Sequence, residues 1–309
     1  MDPWLIDRLM CPACDGGTVR EKHDELECAD CGHRYDVVDS IPILLPPVLS
    51  GDDKKSVQIQ YYGEEVDPEF ELNRPHGAGR VYQYLMDYKI NKALRAFGDV
   101  AGKSTLNVCC GSGMDCEYFA SRGADVVGLD ISLENARRAI ERSRKYGFRL
   151  RTVVGDAERL PFKTGAFDFT FVHDGLHHLP KPHGAIREMG RVGACALCCV
   201  EPARAFGTQI SVLLGISDVV EDAGNVVYRF TEKELRALAA SLGSDEVCFQ
   251  RYVMYYPHKP GRLMRRADTA PLFHLFRMGL WLANVCIGHW GNKCMFFVRL
   301  GKQANSRKG

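Results

Sequence analysis

The stretch from Thr105 to Asp130, TLNVCCGSGMDCEYFASRGADVVGLD, constrains this chain more than any other. Leu106 to Cys110 is short and apolar, as a buried strand is. Gly111-Ser112-Gly113 is a tight turn that lets backbone approach a ligand closely. Met114 to Arg122 reads as a helix, and Gly123 ends it. Ala124 to Leu129 is a second strand with Asp130 at its C-terminal tip. Strand, glycine turn, helix, strand and acid make a nucleotide-binding βαβ unit. Its helix N-terminus faces the ligand, and its acid can accept two ribose hydroxyl hydrogen bonds. The nucleotide is not a dinucleotide of the usual fingerprint, because the third small residue that pattern needs is replaced by Cys116. Nor does the Gly-Lys-Ser/Thr of a phosphate loop follow the glycine turn: Gly102-Lys103-Ser104 stands before the first strand, not after it.

The same alternation continues to residue 200, as a doubly wound sheet requires. A helix runs from Leu133 to Tyr146 and Gly147 closes it. Leu150 to Gly155 is strand three, followed by Asp156-Ala157 and the turn Glu158-Arg159-Leu160-Pro161-Phe162. Phe167 to Val172 is strand four, and His173-Asp174-Gly175-Leu176-His177-His178-Leu179 follows it. Ala194 to Val200 is strand five. Its Cys195, Cys198 and Cys199 are read as small buried thiols rather than metal ligands. Thr231 with Glu234 three residues on marks a capped helix start. Glu246 to Tyr256 and Lys293 to Leu300 read as the last two strands. Arg137, Arg138, Arg142, Arg144 and Lys145 lie on one helix and read as a solvated basic face, the rival being RNA backbone contact.

The glycine turn with Asp130, the phrase Gly155 to Phe162, and strand four with its histidine loop stand in a telling order and spacing. Together they resemble class I S-adenosylmethionine (SAM) methyltransferases, type 11 subgroup. The resemblance implies a Rossmann-like, doubly wound α/β sheet of seven strands with the last antiparallel. It implies SAM as cofactor. Asn107, Cys109, Gly111, Ser112 and Gly113 would hold its methionine part, Asp130 and Ile131 the ribose, and Asp156 and Ala157 the adenine. His173 and Asp174 would line the pocket, while His177 or His178 would clamp the acceptor or act as base. Two positions depart from the family. Asn107 stands where an acid is usual, and its amide oxygen accepts a hydrogen bond without charge. Cys109 stands where the first turn glycine is usual, and a side chain there narrows the approach to the methionine tail.

Residues 1–47 read as a unit of their own. Cys11-Pro-Ala-Cys14 and Cys28-Ala-Asp-Cys31 are two CxxC pairs, and four thiolates at this spacing can close a tetrahedral structural zinc site. The segment is too small to build a core, so the metal would supply its folding energy. It resembles the zinc ribbons at the front of some bacterial and archaeal methyltransferases. Residues 48–104 read as a polar linker followed by helices over Val57–Gly63 and Val81–Phe97. In the resembled family such helices cover the cofactor, and Tyr61, Tyr62, Arg80 and Tyr84 are the candidates to line that lid; ordinary helix packing is the reading preferred for most of them. The methyltransferase domain is expected over 105–303, with insertions near 203–230 and 257–292 walling the acceptor pocket. Within the second, 271–288 is a long apolar helix preceded by Arg262, Arg265 and Arg266. It reads as a core or lid helix, the rival being a helix resting in a membrane interface.

A net charge of +1 gives no global nucleic-acid footprint. The opening residues carry acids and a proline and no long apolar core, so no secretory leader is expected. No run of eighteen uninterrupted apolar residues occurs, so no spanning helix is expected. Thirteen cysteines in strands or CxxC pairs suit a reducing cytoplasm. The expected acceptor is a small or lipid-like molecule. Ribosomal RNA guanine is the second reading, and a non-catalytic SAM-binding protein the third.

Overall fold

The structure, a computed structural model, describes residues 1–49, 52–213, 226–254 and 265–301. The N-terminal segment holds α1 (Pro3–Ile6), β1 (Val19–Lys22), β2 (Glu25–Cys28), β3 (Arg34–Tyr35), β4 (Val37–Val38) and β5 (Ile41–Leu44). Helices α2 (Asp52–Gln60), α3 (Pro68–Asn73) and α4 (Arg80–Phe97) follow, with a π-helical turn at Tyr61–Glu65 after the first. Then come β6 (Ser104–Val108), α5 (Met114–Ala120), β7 (Asp125–Asp130), α6 (Leu133–Tyr146), β8 (Arg151–Gly155) and β9 (Phe167–His173). The last part is α7 (Pro182–Val192), β10 (Gly193–Pro202), α8 (Phe206–Leu213), α9 (Glu232–Ser241), β11 (Val247–Tyr252), α10 (Ala270–Ile287) and β12 (Lys293–Arg299).

The main sheet runs β11-β12-β10-β9-β6-β7-β8-β5-β4. From β8 to β10 the pairings are parallel, and β12 is antiparallel to both its neighbours. The expected seven-stranded Rossmann-like fold is therefore present. Strand order reverses at β6, which has β7 on one side and β9 on the other. Open α/β sheets bind ligands at such a switch point, beyond the carboxyl ends of the strands.

Two further strands extend the sheet. β5 joins β8 in parallel, with Ile43 opposite Val154 and Leu44 opposite Gly155, and β4 closes the edge. Residues 1–47 are thus not a free-standing unit. Leu9, Leu26 and Tyr35 lie in the same buried cluster as Leu106, Leu160 and Phe162. The Met10 N–H donates to Pro161 O at 3.0 Å, and the Lys163 N–H to Arg8 O at 2.9 Å. The ribbon backs directly onto the turn after strand three.

Helix α4 buries Val81, Leu85, Ile90, Leu94 and Phe97 against the sheet, as its spacing suggests. The Thr231 capping box forms as expected. Helix α10 departs from expectation. It packs by Phe273, Phe276 and Leu280, and none of its residues is fully buried, so it is not a core helix. Its polar residues serve the inner side: Asn284 exchanges hydrogen bonds with the Val253 backbone at 2.9 and 3.1 Å, and Arg277 stacks on Tyr84. Leu275, Met278, Trp281, Leu282 and Val285 face outward, each more than half exposed. The expected strand end at Tyr256 and the basic residue Arg262 lie outside the described residues.

Candidate active site

The tips of β6 and β7 are tied together before any ligand is considered. The Gly111 N–H donates to Asp130 Oδ2 at 2.9 Å. Asp130 Oδ1 accepts from the Ser132 N–H at 3.0 Å and from Asn135 Nδ2 at 3.1 Å. Burial pushes the Asp130 carboxyl pKa up, and these hydrogen bonds only partly offset it. Gly113 has φ +78°, and a Cβ there would lie 3.0 Å from Ala139 Cβ on α6. Turn and helix therefore meet too closely for any side chain.

Cys109 adopts φ +53°, the left-handed region that favours the glycine it replaces. Its side chain has room because residue 175 is glycine: a Cβ there would lie 2.5 Å from Cys109 Cβ. The departure at 109 is thus matched across the crevice. Asn107 is buried, and neither its Oδ1 nor its Nδ2 has a hydrogen-bond partner among the described residues. Leaving such a group unsatisfied costs about 1–3 kcal/mol, which a polar ligand at the strand tips would recover.

The third tip carries a feature absent from the expectations. Asp156 Oδ1 accepts the Glu158 N–H at 2.9 Å, and Oδ2 receives Lys55 Nζ at 2.7 Å. Lys55 also reaches Glu158 at 2.9 Å and is fully buried. Helix α2 thereby closes over strand three, and a ligand at Asp156 shares it with an ammonium.

The basic face of α6 is solvated only in part: Arg144 and Lys145 are exposed as expected, but Arg138 and Arg142 are buried. Arg138 donates to the carbonyls of Tyr62 at 2.6 Å and Gly63 at 2.9 Å. Arg142, fully buried, donates to Ser112 O at 2.8 Å and Glu71 O at 2.6 Å. These guanidiniums clamp the N-terminal helices to the glycine turn. Arg74, paired with Glu71 at 2.7 Å, has Nη2 3.9 Å from where a side chain on Gly111 would begin. Among the expected lid residues, Tyr62 Oη lies 3.3 Å from His178 Nε2 and Tyr61 packs edge-on to Tyr62. Tyr84 packs instead on Phe273, and Arg80 is exposed.

In the strand-four loop, His173 Nδ1 lies 3.1 Å from Asp115 Oδ1. Its Nε2 is 3.1 Å from Asp174 Oδ2, an ion-pair contact without hydrogen-bond alignment. Burial and Lys89 pull the His173 pKa down, but Asp115 and Asp174 outweigh them and hold it above 6.5. Asp174 is gripped by Lys89 at 2.8 Å and by Lys293. Burial would raise its pKa, yet Lys293, Lys89 and His173 hold it well below 3.8. His173 and Asp174 thus belong to an ionic network behind the crevice as much as to its lining.

His177 Nδ1 lies 2.8 Å from Glu201 Oε2, and Glu201 Oε1 accepts the Gly175 and Leu176 N–H groups at 3.0 and 2.8 Å. With its Nδ1–H donated to the carboxylate, the basic nitrogen of His177 is Nε2. Acceptor atoms of Asp174, His177 and Glu201 come within 4.8 Å of one another. The lysines on Asp174 already supply the positive charge of that cluster. Glu201 follows directly on the expected strand five, and its signal as a site residue is its place at a strand tip beside β9. Beyond His178 opens a cavity of about 550 Å³, reaching the start of the first insertion.

In the ribbon, the sulfurs of Cys11, Cys14, Cys28 and Cys31 all lie within 4.8 Å of one another. Cys11–Cys31 and Cys14–Cys28 are each separated by 3.7 Å. Cys195, Cys198 and Cys199 join no such group among the described residues.

Residues 106–194 match the family model described as Methyltransferase domain. That span runs from β6 to the start of β10 and contains all three strand tips. The chain is 30% identical over 143 residues to a demethylmenaquinone methyltransferase of Renibacterium salmoninarum, covering 45% of this chain and 56% of that protein. It is 25% identical over 205 residues to a ubiquinone biosynthesis O-methyltransferase of Shewanella pealeana, covering 64% and 75%. The chain spans about half the length, or less, of the first curated relatives it matches. Among solved structures, magnesium protoporphyrin IX methyltransferase from Synechocystis PCC 6803 with bound SAH superposes with a TM-score of 0.54 at 15% identity, covering 81% of this chain and 100% of that one. At that identity the likeness establishes the fold, which is the Rossmann-like methyltransferase fold.

Proposed function

We propose that this chain is a SAM-dependent methyltransferase acting on a small-molecule or lipid-like acceptor. The observation that carries the reading is that Asn107, the Gly111–Asp130 hydrogen bond and Asp156 lie at the carboxyl ends of the adjacent parallel strands β6, β7 and β8, beside the switch point. The orphaned amide of Asn107 and the side-chain-free turn fit the methionine part of SAM, and Arg74 over Gly111 fits its carboxylate. Asp130 and Ile131 would take the ribose, Asp156 and Ala157 the adenine. When bound, SAM supplies an electrophilic methyl group on sulfur. The chain's part is to hold donor and acceptor in line, which is worth much of the rate. The clamped lid excludes water. His177, oriented by Glu201, would take a proton from the acceptor at Nε2.

The ribbon suits a structural zinc ion. Four thiolates about 2.3 Å from a tetrahedral metal stand about 3.75 Å apart, matching the two short sulfur pairs. A Cβ on Gly17 would strike Cys28 Sγ at 2.3 Å and Cys14 Sγ at 2.8 Å, so only glycine leaves the cradle open. All thirteen cysteines are unpaired, which suits a reducing cytoplasm. An RNA acceptor is less well supported, because Arg138 and Arg142 are committed to the lid rather than presented to a phosphate backbone.

Helix α10 supports peripheral membrane contact. It is long and apolar enough to cross a membrane by length and composition, yet one side is packed on the domain. Its outward face, with Trp281 and the exposed Arg265 and Arg266 at its start, has the make-up of an interfacial helix. Trp281→Glu with Leu282→Glu is expected to abolish sedimentation with anionic vesicles while leaving the melting temperature within a degree or two. Equal sedimentation of both proteins would remove this assignment. The activity itself is tested by methyl transfer from labelled SAM into fractionated cell extract. Label in the small-molecule or lipid fraction is expected. Label in RNA would favour the RNA reading, and SAM binding without transfer the non-catalytic one.

A further inference from the structure

The methionine part of SAM ends in an ammonium and a carboxylate, so a site that holds it firmly answers both charges. The strand tips offer little for either. Asn107 is neutral, and Asp130 is engaged by the Gly111 and Ser132 N–H groups and by Asn135. Asp115 pairs with His173, and Glu117 with His76 and Arg142. The matched charges stand on the lid instead. Glu71, on α3, reaches the middle of the glycine turn: the Ser112 hydroxyl donates to its carbonyl oxygen at 2.8 Å and to its Oε2 at 3.2 Å. Arg74, just past the end of α3, comes up to Gly111 and pairs with Glu71 Oε2 at 2.7 Å.

An ion pair three residues apart is usually a surface contact worth little. This one is set into the protein. The side chains of Glu71 and Arg74 are 17% and 21% exposed. The backbone beneath them is pinned, because the fully buried Arg142 donates both to Glu71 O at 2.6 Å and to Ser112 O at 2.8 Å. Arg74 Nε is buried and has no hydrogen-bond partner among the described residues, as is true of both polar atoms of Asn107. Buried groups left unpaired cost stability, and a polar ligand at the turn relieves that cost. We propose that Glu71 and Arg74 form a clamp for the amino-acid end of SAM: Glu71 takes the ammonium, Arg74 the carboxylate, and Asn107 adds a neutral hydrogen bond. A carboxylate can accept about four hydrogen bonds, so Glu71 can take the ammonium and keep Ser112. The guanidinium fork of Arg74 matches a carboxylate. Recognition of charge then comes from α3 rather than from the sheet. The inference rests on the methyltransferase reading and adds Glu71 to its cofactor site.

Calorimetry on the full chain tests it with SAM and two analogues. Decarboxylated SAM keeps the ammonium and lacks the carboxylate; methylthioadenosine lacks the whole amino-acid end. Glu71→Gln should bind SAM and decarboxylated SAM about tenfold or more weaker than the native chain, since each loses a charged hydrogen bond. Its affinity for methylthioadenosine should stay as in the native chain. Arg74→Gln should bind SAM about tenfold weaker and decarboxylated SAM no weaker. Equal SAM affinity in the native chain and Glu71→Gln overturns the proposal and leaves the methyltransferase reading standing. A loss that Glu71→Gln shows equally for all the ligands also overturns it, because that pattern is a lid unseated rather than a charge removed. Should Glu71→Gln fail to fold, Arg74→Gln decides: SAM weakened with decarboxylated SAM spared is expected, and a parallel loss of both overturns the proposal. A native chain that binds none of these ligands overturns the methyltransferase reading and the clamp with it.

Discussion

Withholding the proposed zinc ion from the four-cysteine centre is expected to unfold more than the ribbon that would hold it. Zinc ligation by four thiolates is worth about 10–16 kcal/mol to a small zinc module. That is comparable with the whole stability of an ordinary domain, about 5–15 kcal/mol. Here the module's Leu9, Leu26 and Tyr35 share a core with Leu160 and Phe162. Its backbone bonds the turn that follows Asp156, and β5 pairs with β8, the strand that leads into Asp156. Losing the metal therefore loosens the proposed adenine side of the crevice. A strong chelator, or Cys11→Ser with Cys28→Ser, should lower the melting temperature by many degrees and weaken SAM binding in the same samples. Metal analysis finding no zinc in fully stable, SAM-binding protein would contradict this.

The second large effect is expected at Asp174. Its carboxylate is the shared partner of Lys89, Lys293 and His173, and Lys89 is almost wholly buried. Asp174→Asn leaves these positive groups facing one another, and breaking a buried pair from one side costs about 3–5 kcal/mol. Lys89→Met removes charge and keeps volume, so it should cost much less; the comparison separates the ion network from packing. The pH dependence has a definite sign. The folded-state pKa of Asp174 is depressed, so its contribution is present above the ordinary carboxylate pKa of 3.8 and is lost as pH falls through the folded value. Native protein should thus lose this contribution only in acid, whereas Asp174→Asn lacks it throughout. Urea midpoints at neutral pH check both; a variant as stable as the native chain would show that the network carries little.

Much of this was legible in the chain because local rules and tertiary fold agree there. Short apolar strands ending in glycine or an acid placed Gly111, Asp130 and Asp156 at one edge of the sheet. Thr231 and Glu234 gave a helix start correctly. What escaped depends on partners distant in sequence. Lys55 sits in a run of Asp and Lys that looks solvated, and only its pairing with Asp156 buries it. Arg138 and Arg142 spell a basic helix face, but their partners are backbone carbonyls of the lid, which leave no mark in the sequence. Ile41-Pro42-Ile43-Leu44 closes the stretch read as a separate ribbon, and nothing local says it pairs with β8. Helix α10 is apolar nearly all round, so periodicity could not tell its packed side from its outward one.

The crevice at the switch point is tested most directly by calorimetric titration of SAM into the full chain and into Asp130→Ala. The native protein is expected to bind one SAM per chain. Asp130→Ala is expected to lose about 1–3 kcal/mol of that affinity, the worth of the hydrogen bonds proposed between its carboxylate and a buried ribose. No heat with the native chain, or equal affinity in the two proteins, would contradict the assignment of these strand tips.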